Sequence, residues 1–577
     1  MNQSIQTQSP NNVSLLISQS RTNTLGNKTG TWRFVRPKYQ EKTAPCSNAC
    51  PLGIDVAKVE MFASRKDYQN ALKTILLENP FPAICGRVCF HPCESACNRQ
   101  FLDQSVGIHN IERFLGNWGL SNNQTYLNYP EGNGATIGII GAGPAGLSVA
   151  YFARRLGYHC DIFEKSDNPG GLLVSGIPSY RLPKHIVIEE LQRFQHDGIH
   201  FKYNQSVSMK QLDDFKHVYD ALFLCCGDAQ SIALKISGAD HAIDGLNLLR
   251  QIRTKEAPSL EGKIAVIGGG NTAIDVARSL LRMGARPIIV YRRTRNEMPA
   301  HSHEINAALD EGIELKECLS PIAIQKETDL LQVSLQVMKS GEQTKEGRQT
   351  YIPDGNLMET MQVKHVVSAI GAEMEMMWRN DQWDLSLSHC RMKKISDMPV
   401  FWCGDLTTSE KTVTHALASG KQAVIVLDAL TNNNDTEISN ICDQCQVGNG
   451  PAMSFEIYQQ GERKYRTNTK IVHFERINTA YFPTIPAVQV NKLSQDTCLN
   501  SFDEVISGFD ESQMIQEALR CFNCGICNDC DTCRIFCPEM AIQWDNDKRH
   551  ILMDYCKGCG ICIVECPRDA MNLEVEP

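Results

Sequence analysis

The sequence predicts a multidomain α/β protein, and three observations carry that expectation. Its 577 residues exceed what one hydrophobic core organises. A strand, glycine turn, helix and strand occur in that order twice, at 136–165 and at 263–293. Most of the 25 cysteines stand in two tight groups near the ends.

The bulk numbers narrow the classes. A net charge of -9 gives no reason to expect nucleic acid. The first 30 residues are polar, with no apolar segment of the signal-peptide kind, and no acidic residue precedes Glu41. No apolar run reaches the roughly 18 residues of a membrane span. A cytoplasmic protein is therefore expected, in which clustered cysteines serve metals or redox chemistry rather than disulfides.

The expected order of domains is a flexible arm at 1–30, a helical cysteine-bearing domain at 31–130 and a first dinucleotide domain in two parts, 131–258 and 370–435. A second dinucleotide domain is expected at 259–369, a surface connector at 436–510 and a compact tail at 511–577 that holds ten cysteines.

In the first repeat, Gly141, Gly143 and Gly146 follow an apolar strand, with Pro144 and Ala145 opening the helix. The first glycine permits the tight turn, the second lets backbone approach a pyrophosphate, and the third lets helix and strand pack closely. Glu164 ends the next strand, beside Lys165, where a carboxylate accepts ribose hydroxyls. In the second repeat the fingerprint is Gly268, Gly270 and Ala273, with Asn271 and Thr272 between. No acid follows its second strand; Arg292, Arg293 and Arg295 do, and they predict a preference for the extra phosphate of NADPH over NADH. Two such folds in this order suggest FAD first and an exchanging nicotinamide second. A later strand leads into Gly404 and Asp405, and a helix starting near Thr412 and carrying Thr414 would return to the flavin.

The tail contains C-x2-C-x2-C-x3-C-P twice, at Cys527–Pro538 and Cys556–Pro567. In this run the fourth cysteine serves the other cluster. One [4Fe–4S] site is therefore expected on Cys527, Cys530, Cys533 and Cys566, and another on Cys556, Cys559, Cys562 and Cys537. Zinc is the competing metal for C-x2-C pairs, and the two full copies argue against it. Cys521 and Cys524 form one more C-x2-C just upstream, able to bind a further group or to stand as thiols near the clusters, and the reading favoured is no separate metal.

The motifs APCSNACP (44–51), NPFPAICGRVCFHPCESAC (79–97), VGIHNIERF (106–114), GAGPAG (141–146), GGLLVSGIPSYRLPK (170–184), GGGNTAIDVA (268–277), YRRTRNEMP (291–299) and GDLTT (404–408) occur in one order. Over residues 31 to about 430 the chain resembles the small (beta) subunit family of NADPH-dependent glutamate synthase, whose relatives include the N-terminal half of dihydropyrimidine dehydrogenase. The fused ferredoxin-like tail is a departure from the plain small subunit. The resemblance implies that Gly171, Leu172 and Arg181 contact FAD. It implies an N-terminal cluster on Cys50, Cys89, Cys93 and Glu112. A second cluster in that family takes a C-x2-C pair upstream of the residues matching Cys46 and Cys97. Here that stretch reads RPKYQEKTAPC and holds no such pair, so Cys46, Cys97 and Cys85 are left as candidate ligands without a complete set.

The full expectation is a helical N-terminal Fe–S domain, two Rossmann-like domains for FAD and NADPH, and a C-terminal α+β bacterial-ferredoxin-like domain. The activity expected is that of an NAD(P)H:acceptor oxidoreductase, an iron–sulfur flavoprotein exchanging electrons with a ferredoxin or a larger redox-enzyme subunit. No side chain is needed as an acid–base catalyst. The alternative is a glutamate synthase small subunit feeding a large subunit.

Overall fold

The computed structural model describes residues 26, 28–124, 129–194, 198–228, 230–343, 349–380, 382–387, 390–432, 438–450, 452–465, 467–545 and 548–576. Most of the arm expected at 1–30 lies outside them. Two parallel sheets form the centre. The first has seven strands in the order Leu385–Ser386, Arg391–Ile395, Met398–Trp402, Ala221–Leu224, Thr136–Ile140, His159–Phe163, Ile199–Lys202. Its last five strands are parallel, and the first two are an antiparallel extension. The second sheet is parallel throughout: Glu314–Lys316, Arg286–Val290, Lys263–Ile267, His365–Ser368, Ala242–Asp244. An antiparallel three-stranded sheet, Leu319–Glu327, Leu330–Gln343 and Gln349–Val363, is inserted before its return strand.

The central strands are apolar on both faces because helices cover both sides. Ile137, Ile139, Leu222, Phe223 and Val400 are fully buried. The helices Pro144–Arg155 and Val413–Asn432 cross at unusually close range. A Cβ at Gly420 would lie 2.5 Å from the Ala145 carbonyl oxygen, and Ser148 Oγ donates to the Leu417 carbonyl. This contact brings the start of the second helix beside the first glycine turn.

Three boundaries differ from the sequence expectation. Strand Ala242–Asp244 belongs to the second sheet, so that unit begins before residue 259. Strand Val35–Tyr39 pairs antiparallel with Met571–Val575, so the start of the helical region is an edge of the C-terminal unit. Residues 436–510 are not merely draped over the surface. They form the helices Ile438–Cys445, Phe455–Tyr458 and Gln495–Asn500 and a strand, Thr467–Ile471, parallel to Lys42–Thr43. Phe455 is fully buried. The reason is an anion: the Glu78 carboxylate accepts the backbone N–H groups of Phe455 (2.9 Å) and Glu456 (3.1 Å), the Ser454 hydroxyl and the Lys421 ammonium (2.6 Å). Four donors on one buried carboxylate fix a stretch that has no hydrophobic period of its own.

Candidate redox sites

At the first fingerprint the glycines divide their work. A Cβ on Gly141 (φ +104°) would come within 2.5 Å of the Cys225 carbonyl oxygen, and one on Gly146 within 2.0 Å of the Gly141 oxygen. A Cβ on Gly143 would meet nothing within 4 Å. The outer glycines therefore allow backbone to touch backbone. The middle one leaves an open face at the N-terminus of Pro144–Arg155, where free N–H groups suit a pyrophosphate. Ala145 is buried at the helix crossing. Glu164 aims back across this turn: one carboxylate oxygen accepts Ala142 N–H (2.8 Å), the other Ser166 N–H (2.9 Å). Lys165 is exposed. Gly171, at φ +53°, backs onto the turn, its missing Cβ 3.1 Å from Gly143 Cα, and Leu172 is exposed beside it. Gly404 (φ +66°) donates its N–H to Ser419 Oγ at 2.8 Å. Burial pushes the neighbouring Asp405 carboxyl up to about 6, against the pull of Lys411.

The second fingerprint repeats the division. A Cβ on Gly268 (φ +144°) would lie 2.2 Å from the Ala369 oxygen, whereas Gly270 faces open space. Ala273 is buried, Asn271 Oδ1 accepts the His301 N–H, and Thr272 is half-buried at the helix start. Arg292 is exposed and Arg293 half-buried, and neither makes an ion pair among the described residues. Arg295, in contrast, bonds Asn306.

Arg181, expected from the resemblance to contact FAD, is engaged here by two acids. It bonds both oxygens of Asp275 (2.9 and 2.8 Å) and pairs with Glu304 at 2.9 Å. Both acids belong to helices of the second nucleotide unit, Asn271–Arg282 and Ser302–Asp310. Arg181 thus spends its charge holding two domains together. Burial alone would raise the Glu304 carboxyl, but Arg181 and Arg278 hold it down at about 2.

Four groups of cysteines are brought together. Cys50, Cys85, Cys89, Cys93 and Glu112 line one apolar cavity in the N-terminal helices, with Thr414 on its wall. Thr414 and Cys89 line the same cavity, so the helix Val413–Asn432, which crosses the helix behind the first glycine turn, also meets this cavity. Burial pushes the Glu112 carboxyl up to about 8, although Asn79 donates to it at 2.7 Å, and pushes the Cys89 thiol up to about 12. Groups this desolvated become anions at neutral pH only beside a cation, which is what an iron–sulfur core supplies. The residues present therefore fit that group. Cys85 also gives its thiol to Asn79 Oδ1 and stands behind the other three.

In the tail, one cavity is lined by Cys527, Cys530, Cys533 and Cys566, and another by Cys537, Cys556, Cys559 and Cys562. Tyr39 hydroxyl lies 3.4 Å from Cys533 Sγ and Arg549 donates to Cys527 Sγ at 3.2 Å. Among the described residues no three thiols lie within 4.8 Å of one another. A single tetrahedral zinc with Zn–S of about 2.3 Å would hold its sulfurs about 3.8 Å apart. The sulfurs of these cavities are not in the close-set arrangement a single zinc takes. The one tight group is His91, Glu94 and His109, at the edge of the N-terminal cavity.

The fourth group was missed by the sequence reading. Asn98, next to Cys97, donates to Cys524 Sγ at 3.5 Å, Asn523 donates to the Ala57 carbonyl at 3.0 Å, and Lys42, four residues before Cys46, donates its N–H to the Gly525 carbonyl at 3.0 Å. Cys521 and Cys524 thus face the N-terminal helices rather than standing beside the tail clusters. The available signal was the coincidence of an orphan C-x2-C pair with a site lacking one.

Comparison with known proteins follows this layout. Residues 135–420 match the family described as pyridine nucleotide-disulphide oxidoreductase, residues 39–124 match dihydropyrimidine dehydrogenase domain II, 4Fe-4S cluster, and residues 550–572 match a 4Fe-4S binding domain. The chain is 32% identical over 421 residues to the NADP(+)-dependent formate dehydrogenase subunit beta of Moorella thermoacetica, an alignment covering 67% of this chain and 60% of that one. It is 27% identical to the NADPH-Fe(3+) oxidoreductase subunit beta of Geobacter sulfurreducens, over 85% of this chain and 76% of that one. It is 30% identical to the NAD-dependent dihydropyrimidine dehydrogenase subunit PreT of Escherichia coli (strain K12), over 66% of this chain and 89% of that one. The chain thus spans less than two thirds of the length of the Moorella protein.

The two glycine turns with open middle residues lie within the pyridine nucleotide-disulphide oxidoreductase match, and the cysteine-lined cavities on either side lie within or beside the 4Fe–4S matches. The chain belongs to the pyridine nucleotide-disulphide oxidoreductase family. No helix among the described residues is long and apolar enough to cross a membrane.

Proposed function

We propose that this chain takes reducing equivalents from NADPH and passes them singly to a partner protein, as the electron-entry subunit of a larger redox enzyme. The observation that carries this reading is the wall shared by the two kinds of site: Thr414 stands in the first turn of the helix beside the first glycine turn and also lines the N-terminal cavity with Cys50, Cys89 and Cys93. Bound flavin accepts a hydride and yields single electrons that [4Fe–4S] clusters take one at a time.

The chain's own residues position and exclude. Gly143 and the helix behind it would receive the flavin pyrophosphate, and Glu164 its ribose. Gly270 would do the same for the nicotinamide nucleotide, with Arg292 and Arg293 free to meet a 2′-phosphate. Cys50, Cys89, Cys93 and Glu112 would hold the cluster next to the flavin. The quartets of the tail would hold two more. Cys530 and Cys559 are exposed, which puts these last clusters within reach of a docking partner. The relatives' printed names, subunits of a formate dehydrogenase and of an Fe(3+) oxidoreductase, support a role as one component of a complex.

Anaerobically reconstituted full-length protein tests this. NADPH should bleach the flavin absorbance and then support reduction of a one-electron dye, with NADH a poorer donor. A protein that binds FAD but is bleached by neither nucleotide would overturn the proposal.

A further inference from the structure

We propose that Cys521 and Cys524 complete, with Cys46 and Cys97, a fourth [4Fe–4S] site, half of whose ligands come from the far end of the chain. The proposal rests on the electron-entry reading above and adds a site to it.

The first argument is convergence. Cys46, Cys97 and Cys524 are buried to 7–8% exposure, and Cys521 is half-buried. They come from three segments: the helix Pro45–Ala49, the residue before Asn98–Phe101, and the turn after helix Glu511–Leu519. Asn98, next to Cys97, points its side-chain amide at Cys524 Sγ (3.5 Å). All four are free thiols rather than disulfides. As in the other quartets, no three of their sulfurs approach within 4.8 Å. That spacing does not match a single tetrahedral ion.

The second argument is the turn itself. Asn523 sits at φ +50° and donates its N–H to Cys521 Sγ at 3.3 Å. A left-handed residue likewise stands two positions after Cys89 (His91), Cys527 (Asp529) and Cys556 (Gly558), and at His91 the backbone N–H also donates to the cysteine sulfur, at 3.4 Å. Cys521 therefore has the backbone of the three cysteines already assigned to clusters. An ordinary buried thiol needs no such strained residue.

The third argument is docking. Fully buried Arg520 bonds the carbonyls of Gln104 (2.6 Å) and Ser105 (3.1 Å) and the Asp103 carboxylate (3.0 Å). Arg99 returns a bond to the Arg520 carbonyl at 2.9 Å, and Glu517 accepts Gly107 N–H at 2.8 Å. The cysteine pair is thus delivered to the N-terminal loop by a built clamp.

The position gives the site a use. Cys46 lies in the short helix Pro45–Ala49 with Cys50 just after it, and Cys93 lies in Pro92–Ser95 with Cys97 two residues past its end, so Cys46 and Cys97 each stand four residues from a cysteine lining the N-terminal cavity. Cys524 lies three residues before Cys527 of the tail quartet. The site is a stepping stone between the two ends, passing one electron at a time.

Iron, acid-labile sulfide and low-temperature EPR on anaerobically reconstituted full-length chain test the proposal. Wild type should carry about 16 irons, four per cluster. The double variant C521S/C524S should carry about 12, lose one reduced-cluster signal and keep about one FAD. The variant C46S/C97S, cut from the opposite end, should lose the same signal. A wild-type content of about 12 irons, or an unchanged spectrum in both variants, would overturn the fourth site. Wild type with neither iron nor flavin would instead overturn the electron-entry reading beneath it.

Discussion

Arg181 and Asp275 form a two-pronged ion pair, with one guanidinium nitrogen 2.9 and 2.8 Å from the two carboxylate oxygens, and both side chains are under 10% exposed. The pair joins the segment after the first glycine turn to the helix of the second fingerprint. It sets how the two nucleotide sites face each other.

Asp275→Ala leaves Arg181 buried with only Glu304 as its partner. Removing one member of a buried pair costs roughly 3–5 kcal/mol. The variant should melt well below wild type by calorimetry and should bind FAD normally, because the first glycine turn is untouched.

The same knot predicts acid lability. Glu304 is held at about 2 against an ordinary 4.5. A lowered carboxyl stabilises the fold fully above 4.5, and the contribution fades as pH falls from 4.5 towards 2. That difference is worth roughly 3 kcal/mol. Denaturant unfolding should show stability falling over this interval, and Glu304→Gln should flatten that part of the pH profile.

Two of the three glycines of the first fingerprint, Gly143 and Gly146, should respond differently. Gly143→Ala adds a methyl to open space at φ -76°, a conformation any residue adopts. It should leave melting within about 0.5 kcal/mol of wild type while lowering FAD affinity at least about tenfold, since the methyl enters the space for the pyrophosphate. Gly146→Ala puts a carbon 2.0 Å from a carbonyl oxygen and should destabilise the fold itself. FAD titration and thermal melts separate the two.

Arg292 and Arg293 predict a nucleotide-selective effect. The double alanine variant should raise KM for NADPH by about tenfold or more and leave KM for NADH nearly unchanged, because charge at the 2′-position matters only for the phosphorylated nucleotide.

Lys421 and Glu78, both 1% exposed, test the unforeseen order in 436–510. Glu78→Ala leaves a buried ammonium and strips the acceptor from Ser454, Phe455 and Glu456. Loss of roughly 3–5 kcal/mol is expected, with early proteolysis near residue 455.

These sites differ in how legible they were. The roles of Gly141, Gly143 and Gly146 follow from local spacing, because a strand–turn–helix places backbone atoms without reference to the rest of the chain. The crossed quartets of the tail are readable for the same reason, since each run wraps its own turn. Arg181 was not readable: its partners sit some 90 residues or more away on another domain, and nothing in YRLPK announces them. Cys521 lies more than 400 residues from Cys97 and Cys46, and only the folded clamp around Arg520 shows which end it serves. The segment 436–510 looked structureless because its order comes from donors gathered on Glu78, a signal without hydrophobic period.

The central claim is a continuous route from nucleotide to cysteine-held iron at both ends. Rapid mixing of the anaerobic full-length protein with NADPH, followed by optical and freeze-quench EPR detection, tests it most directly. The account predicts flavin bleaching first, with reduced-cluster signals following in the same turnover. Bleaching without any later cluster signal, in protein carrying its full iron, would contradict it.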